Sequence, residues 1–480
     1  MKIRGFLTSP MAASALDLRR LAYSNPIAFP VLFDSAACGA LGRYSILASY
    51  PEAALWLDAH GRLRGWGLEQ GFETQPGFLS ALDALWRATA ATGLAGGHGA
   101  SGDEAIGPFR GGWVVYLGYE LAAEIEPQLV LPAARSTGSA PRAFALRVPA
   151  ALVFDHAADR AWMVVENGRE ALQHRLTQDL AAATAAAPSK PSMPAALAGL
   201  RLEEDDPQRF RACVAAALEH IRAGDIYQAN LSRGWHAELP AAFDPGALGL
   251  LSTAVYERLR ELNPAPFAAL AQFQDWRVLC SSPERLVRVA AGRVETRPIA
   301  GTRPRSRAAD ADARELAALI AHPKERAEHI MLVDLERNDL GRICRAGSVR
   351  ADEFMCTESY AHVHHIVSNV CGQLNDGLTP VDVLRAVFPG GSITGCPKFR
   401  CMQIIAALEA QARGAYTGAL GFINRDGSMD FNILIRTITM DAQALQFRAG
   451  AGIVADSDWQ LELQETRAKA RGLIAALQPC

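Results

Sequence analysis

Several large functional classes are excluded by what this sequence lacks. No stretch approaches the roughly 18 consecutive apolar residues of a membrane-spanning helix. Met1-Lys2-Ile3-Arg4-Gly5-Phe6 has no unbroken apolar run of the kind a secretory leader needs. The expectation is a cytoplasmic protein with no membrane partner. Lysine and arginine (48) do not outnumber aspartate and glutamate (51), and a formal charge of -3 offers nothing to a polyanion, so no nucleic-acid partner is expected. The nine cysteines (Cys38, Cys213, Cys280, Cys344, Cys356, Cys371, Cys396, Cys401 and Cys480) contain no C-x-x-C pair. Reduced thiols without a zinc site are the expectation. A glycine-rich nucleotide fingerprint between a strand and a helix is also missing.

What is present begins with size. A chain of 480 residues accommodates two or three ordinary domains, or one large domain with a spliced-in layer. The alanine-, proline- and serine-rich run from Ala181 to Gly199 is almost uncharged and reads as a linker, giving an amino-terminal region 1–180, a linker 181–204 and a carboxy-terminal region 205–480. Gly96 to Pro108 reads as a surface loop. Strand-like runs are expected at Ile27–Phe33, with Pro30 confining it to a sheet edge, and at Arg43–Ala48, Gly112–Leu117 and Ala150–Phe154. A helix over Pro207–Ala223, capped by Asp205 or Asp206, precedes strands at Ile226–Arg233, Phe267–Gln272, Val278–Ser281 and Leu286–Val289. Strands and helices come in runs, which favours antiparallel sheets flanked by helices over a parallel alternating fold.

Chemistry-bearing residues cluster in the second half. The helix His322–Leu335 sets Glu325 beside Glu328 and His329, with Ile330, Leu332 and Val333 as its buried flank. A second helix, Leu461–Leu477, carries Glu462 and Glu465 one turn apart, and Lys469 follows Glu465 by four residues. That spacing makes an intrahelical salt bridge worth roughly 0.2–0.5 kcal/mol. It equally allows one glutamate from each helix to share a hard cation such as Mg²⁺, which takes one or two carboxylates and completes its octahedron with water and substrate oxygens. Between them, Phe388 to Gly414 is a glycine-rich turn feeding a helix that Gly414 ends, either a tight connection or a cradle for an anion. The strand Phe447–Val454 has Gly450 and Gly452 where β-branched residues are usual, so a ligand or a packed helix approaches its backbone. In the strand Asn432–Thr437, Arg436 interrupts apolar residues and needs an anionic partner, internal or bound. Glu295 to Arg305, including Thr302, reads as a stiff turn. Ser281-Ser282-Pro283-Glu284-Arg285 is a turn delivering Glu284 between two apolar strands, where burial would raise its pKa toward that of a proton donor.

Taken in order, GDIYQANLS, SSPERL, ETRPIAGTRPR, KERAEHIMLVDLERNDLGR, FPGGSITGCPK and AGAGIVADS resemble the chorismate-binding family, strongly from about Asp206 to Leu477. The family includes anthranilate, aminodeoxychorismate, isochorismate and salicylate synthases. Weaker similarity at Val31 to Ala36 and Gly42 to Ile46 looks like the amino-terminal part of the two amidotransferase-linked branches, where some members hold tryptophan. Ser35, Arg43 and Tyr44 are the residues such a pocket would use here.

The resemblance implies an α/β (α+β) sandwich of two antiparallel sheets with helices outside. It implies Glu328 and Glu465 as Mg²⁺ ligands, with Glu325 and Glu462 as nearby carboxylates. Tyr416, Arg436, Lys469 and the Gly450 and Gly452 backbone would hold a substrate carboxylate, and Glu284 would protonate the leaving hydroxyl of chorismate. Thr302 and His365 complete the implied catalytic set, His365 resembling a histidine linked to later pyruvate elimination. Gln228 stands where the isochorismate and salicylate branches use a water-activating lysine, and a neutral amide cannot serve as that base. Ammonia is the implied nucleophile, and with no glutaminase domain apparent in the 480 residues a separate glutaminase subunit is expected. FPGGSITG and PKFRCMQII are similar to the aminodeoxychorismate branch. Ala300, where many of its members have a nucleophilic lysine, is similar to the anthranilate branch. Cys396 replaces the usual alanine and packs like it.

Overall fold

The computed structural model describes residues 2–3, 6–11, 16–37, 39, 41–90, 107–132, 140–185, 191, 199–239, 245–306, 308–359 and 363–478. Among them lie two large sheets in which every strand pair is antiparallel. From one edge, the first runs through Lys2–Ile3, Phe6–Met11, Arg160–Glu166, Ala150–Asp155, Tyr44–Ser49 and Val31–Asp34. It continues through Phe267–Phe273, Trp276–Ser282, Thr437–Met440, Ala444–Ile453, Gln228–Glu238 and Glu203–Glu204, with Gly395–Cys396 also paired to Gln228–Glu238. The second runs Ile299–Pro304, Val363–Gln373, Arg293–Thr296, Arg285–Ala290 and Met429–Ile433, then Ala419–Asn424, Gly112–Leu117, Ala143–Val148, Ala53–Leu57 and Leu63–Trp66. In each sheet the strands from before residue 180 form one block and the later strands another, the two blocks meeting at a single antiparallel junction, Val31–Asp34 against Phe267–Phe273 in the first sheet and Gly112–Leu117 against Ala419–Asn424 in the second.

The alternation of side chains along a strand explains how the sheets stack. In Gly112–Leu117, Val114 and Tyr116 join a core shared with Ile46, Val153, Ala269 and Val278 of the other sheet. Trp113, Val115 and Leu117 point the opposite way, into a core with Leu79, Leu82, Val333 and Leu384 from outer helices. Leu270 of the first sheet likewise faces outward, to Leu176, Leu251 and Leu473. Central strands are therefore buried on both faces, each large aliphatic side chain contributing about 1.5–3 kcal/mol. The sandwich with external helices expected from the sequence is the observed fold.

Several local expectations are corrected. Val31–Asp34 pairs on both sides, so it is an interior strand; Pro30 sits just before it, where a missing N–H costs nothing. Asn432 to Thr437 is not one strand, because the chain leaves the second sheet after Ile433, turns through Arg436 at φ 50°, and enters the first sheet at Thr437. Glu295 to Arg305 turns only at Arg297-Pro298, and the strand resumes at Ile299–Pro304. The helix after the glycine-rich turn ends at Glu409, capped by Ala410 in the left-handed conformation; Gly414, also at positive φ, lies four residues beyond that cap. Ile330 is exposed, whereas Leu332 and Val333 are buried. The helix Glu170–Ala185 covers the first residues of the expected linker; residues 186–190 and 192–198, like 96–106 of the expected loop, lie outside the described residues. No helix among the described residues is long and apolar enough to cross a membrane.

Candidate active site

Two adjacent crossings between the sheets build the centre of the site. Glu284 lies where the chain passes from Trp276–Ser282 to Arg285–Ala290, and Arg436 where it passes back from Met429–Ile433 to Thr437–Met440. Main-chain bonds join the crossings: Ile433 N donates to Glu284 O at 3.1 Å and Ser281 N to Arg436 O at 3.1 Å. The Ser282 hydroxyl donates to Ile433 O at 2.6 Å. Glu284 is thereby fixed in the interior, and burial pushes its carboxyl up to about 7 against the opposing pull of a Ser392 hydrogen bond, Lys469 and Arg436. Ser392 donates to its Oε1 at 2.6 Å. Arg436 is half-buried, and no side chain among the described residues pairs with its guanidinium; burial lowers its pKa and the Glu284 charge opposes this.

One wall is the glycine strand. A Cβ on Gly450 would stand 2.5 Å from the Tyr416 hydroxyl, 2.6 Å from Asn230 Oδ1 and 2.8 Å from Leu231 O. On Gly452 it would stand 2.3 Å from Gln228 Nε2 and 3.4 Å from Glu328 Oε1. Asn230 Oδ1 and Gln228 Oε1 are buried without a hydrogen-bond partner among the described residues. Lys469 donates to Gly450 O at 3.0 Å and pairs with Glu465 at 2.7 Å.

The opposite wall comes from helices on different sheets. Pro323–Gly341 starts with Pro323 in its first turn and His322 accepting from Glu325 N, and Trp459–Leu477 starts with Asp458 accepting from Gln460 N and Leu461 N. Gln228 Nε2 donates to Glu328 Oε1 at 2.9 Å, tying the first sheet to the helix on the second. Burial raises the Glu328 carboxyl; the Gln228 bond and Lys469 oppose this, while the charges of Glu325 and Glu465 add to it. Among the described residues no three His, Cys, Asp or Glu side chains converge as a ready-made metal cage. Mg²⁺ does not require one, and a carboxyl destabilised by burial and two carboxylate neighbours, beside the orphaned Gln228 Oε1, fits a hard cation. Glu325 also pairs with Arg303 at 3.1 Å, and Glu462 accepts from Ser457 at 2.7 Å.

His365 is buried on Val363–Gln373 opposite Thr302; burial and Arg436 hold it at about 4, so it is neutral near pH 7. Ser35, Arg43 and Tyr44 lie on and beside the strands Val31–Asp34 and Tyr44–Ser49. There Ser35 donates to Tyr44 O at 2.7 Å and Arg43 pairs with Asp155 at 2.9 Å. Sequence reasoning missed Ser392, although it lies inside FPGGSITG, because a serine in a glycine-rich turn is unremarkable until its partner is known. It also missed buried Glu336, raised by burial and Asp339 with Lys398 opposing, and the Arg413–Glu409 pair.

Residues 54–475 match the chorismate binding enzyme family. The chain is 39% identical over 380 residues to aminodeoxychorismate synthase component 1 of Bacillus subtilis, covering 77% of each. It is 40% identical over 390 residues to anthranilate synthase component 1 of Streptomyces coelicolor, covering 77% of this chain and 73% of that one. The structure resembles that of anthranilate synthase component I from Streptococcus pneumoniae with a TM-score of 0.73 at 32% identity, over 90% of this chain and 92% of that one.

Proposed function

The chain belongs to the chorismate-binding enzyme family, and from that premise we propose that it is an aminodeoxychorismate synthase component I, which installs ammonia at C4 of chorismate to give 4-amino-4-deoxychorismate. The coarser assignment, a chorismate-using enzyme of the anthranilate and aminodeoxychorismate synthase component I group, holds whichever product is formed.

The carrying observation is the pairing of a carboxyl that is half protonated near pH 7 with an arginine that has no internal partner among the described residues. Arg436, with Tyr416, Lys469 and the Gly450 and Gly452 backbone, provides the charge and the space for a substrate carboxylate. Glu284 then donates its proton to the C4 hydroxyl as the C–O bond breaks, so that water leaves. Glu328 and Glu465 would hold Mg²⁺, which supplies positive charge to the ring carboxylate when bound. His365, neutral and paired across the strands with Thr302, would lie beside the reacting ring.

Gln228 supports ammonia over water as nucleophile, since its amide donates to Glu328 and has no basic lone pair to activate water. Ammonia would come from a separate glutaminase subunit of the kind the component 1 relatives imply. A tryptophan site at Ser35, Arg43 and Tyr44 belongs to the same proposal; there Arg43 is held by Asp155 at 2.9 Å.

One observation favours a second reading, anthranilate synthase component I. Ala300 is a buried methyl group and cannot form a covalent adduct with the ring. The deciding experiment incubates the protein with chorismate, Mg²⁺ and an ammonium salt and identifies the product. 4-Amino-4-deoxychorismate is expected; anthranilate with pyruvate as the only products overturns the branch.

A further inference from the structure

We infer that Arg413 is a positioning residue for this pocket, one guanidinium fixing together the Ser392 turn, the strand that faces the glycines and the turn that carries Tyr416. Arg413 follows the helix Lys398–Glu409 and is buried, as is Glu409. Its Nε and Nη2 donate to the two Glu409 oxygens at 3.0 and 2.7 Å, a bidentate pair. The remaining donors reach outward. Nη1 bonds Ile393 O at 3.0 Å, in the residue after Ser392, and Thr417 Oγ1 at 3.3 Å, in the residue after Tyr416. Nη2 bonds Asn230 O at 2.6 Å, in the residue that pairs with Gly452.

The carboxylate partner extends the same brace. Glu409 Oε1 accepts from Ser232 N at 2.8 Å and from Ser232 Oγ at 2.9 Å, and Ser232 pairs with Gly450. The guanidinium also stacks 4.9 Å from the Tyr119 ring and 5.6 Å from the Tyr416 ring. Only a planar fork with five donors can satisfy a carboxylate and several oxygens at once, and a lysine ammonium in the same place must abandon some of them. Released, the Ser392 turn no longer holds the hydroxyl on Glu284, and Tyr416 and Asn230 lose their register against Gly450 and Gly452.

The inference rests on the assignment of this pocket to chorismate. Glu284 faces Ser392, Lys469, Arg436 and, from the helix behind the turn, Glu336. Ser392 lowers the Glu284 pKa, so its loss raises it. The test follows chorismate consumption against pH, with saturating Mg²⁺ and ammonium, for wild type, Ser392→Ala, Arg413→Lys and the double variant. Arg413→Lys is expected to melt cooperatively, to lose about 10- to 100-fold in kcat, and to raise the KM for chorismate. Its alkaline limb of kcat/KM should move to higher pH, as in Ser392→Ala, with no further movement in the double variant. A rate reduced only in proportion to the active fraction, with KM and limb unmoved, overturns the inference. If Arg413→Lys does not fold, Glu409→Gln replaces it, with the same shift expected and the same unmoved KM and limb overturning the inference. A wild-type protein that leaves chorismate untouched refutes instead the proposed function.

Discussion

Ser392 and Glu284 are joined by a 2.6 Å hydrogen bond in which the hydroxyl donates to a carboxyl that burial keeps half protonated near neutral pH. The bond moderates the acid: burial alone would carry the carboxyl higher, and the serine, with Lys469 and Arg436, brings it back to about 7.

A proton donor with this affinity is lost as pH rises through about 7. In wild type, kcat/KM for chorismate is therefore expected to fall on the alkaline side of that value. Glu284→Gln should reduce turnover by about 100- to 10,000-fold with unchanged circular dichroism. A fully active Glu284→Gln protein removes the residue from the reaction.

The same shift links to stability. Because the folded pKa lies above the unfolded one, Glu284 contributes fully at pH below its unfolded value of about 4.3, and the contribution is lost as pH rises to about 7. Above that, folding buries a carboxylate, and Glu284→Gln is expected to be more stable than wild type by up to about 3 kcal/mol. Denaturant melts at pH 5 and pH 8 check the sign, since the advantage of the variant should grow markedly between them.

Removal of divalent cations with a chelator is expected to abolish chorismate turnover and added Mg²⁺ to restore it. Glu328→Gln should raise the Mg²⁺ concentration for half-maximal rate by on the order of tenfold, about 1.4 kcal/mol. Equal Mg²⁺ dependence in variant and wild type would take Glu328 out of the cation site.

Gly450→Ala places a methyl group 2.8 Å from the Leu231 carbonyl, a main-chain atom of the paired strand that cannot swing away. A loss of about 1–3 kcal/mol in stability is expected. The KM for chorismate should rise more than kcat falls, because the methyl also occupies the space in front of Tyr416. Steady-state kinetics at the permissive temperature separates the two effects.

Much of this arrangement was legible from residue order. Asp206 accepts from Gln208 N at the start of Pro207–Arg222, as an aspartate before a proline predicts, and Gly112–Leu117 is a strand over its expected length. For Glu284 the residue pattern shows a turn between two apolar strands, and the role of proton donor comes from the resemblance of SSPERL to the family. Arg436 was placed in the wrong local structure, since a change of sheet leaves no mark in hydrophobic periodicity. Arg413 was invisible for a deeper reason: two of the oxygens it binds beyond Glu409 belong to the main chain of Ile393 and Asn230, which carry no sequence information, and only folding brings those distant segments together.

The single junction of early and late strands within each sheet has a consequence for how the gene can be trimmed. Phe267–Phe273 borders Val31–Asp34, and Ala419–Asn424 borders Gly112–Leu117. A fragment beginning near residue 205 would keep the pocket residues yet bare a long row of unpaired amides and carbonyls on each sheet, the kind of exposed margin that templates aggregation. Expressing the reactive half by itself should thus yield inclusion bodies rather than a minimal catalyst.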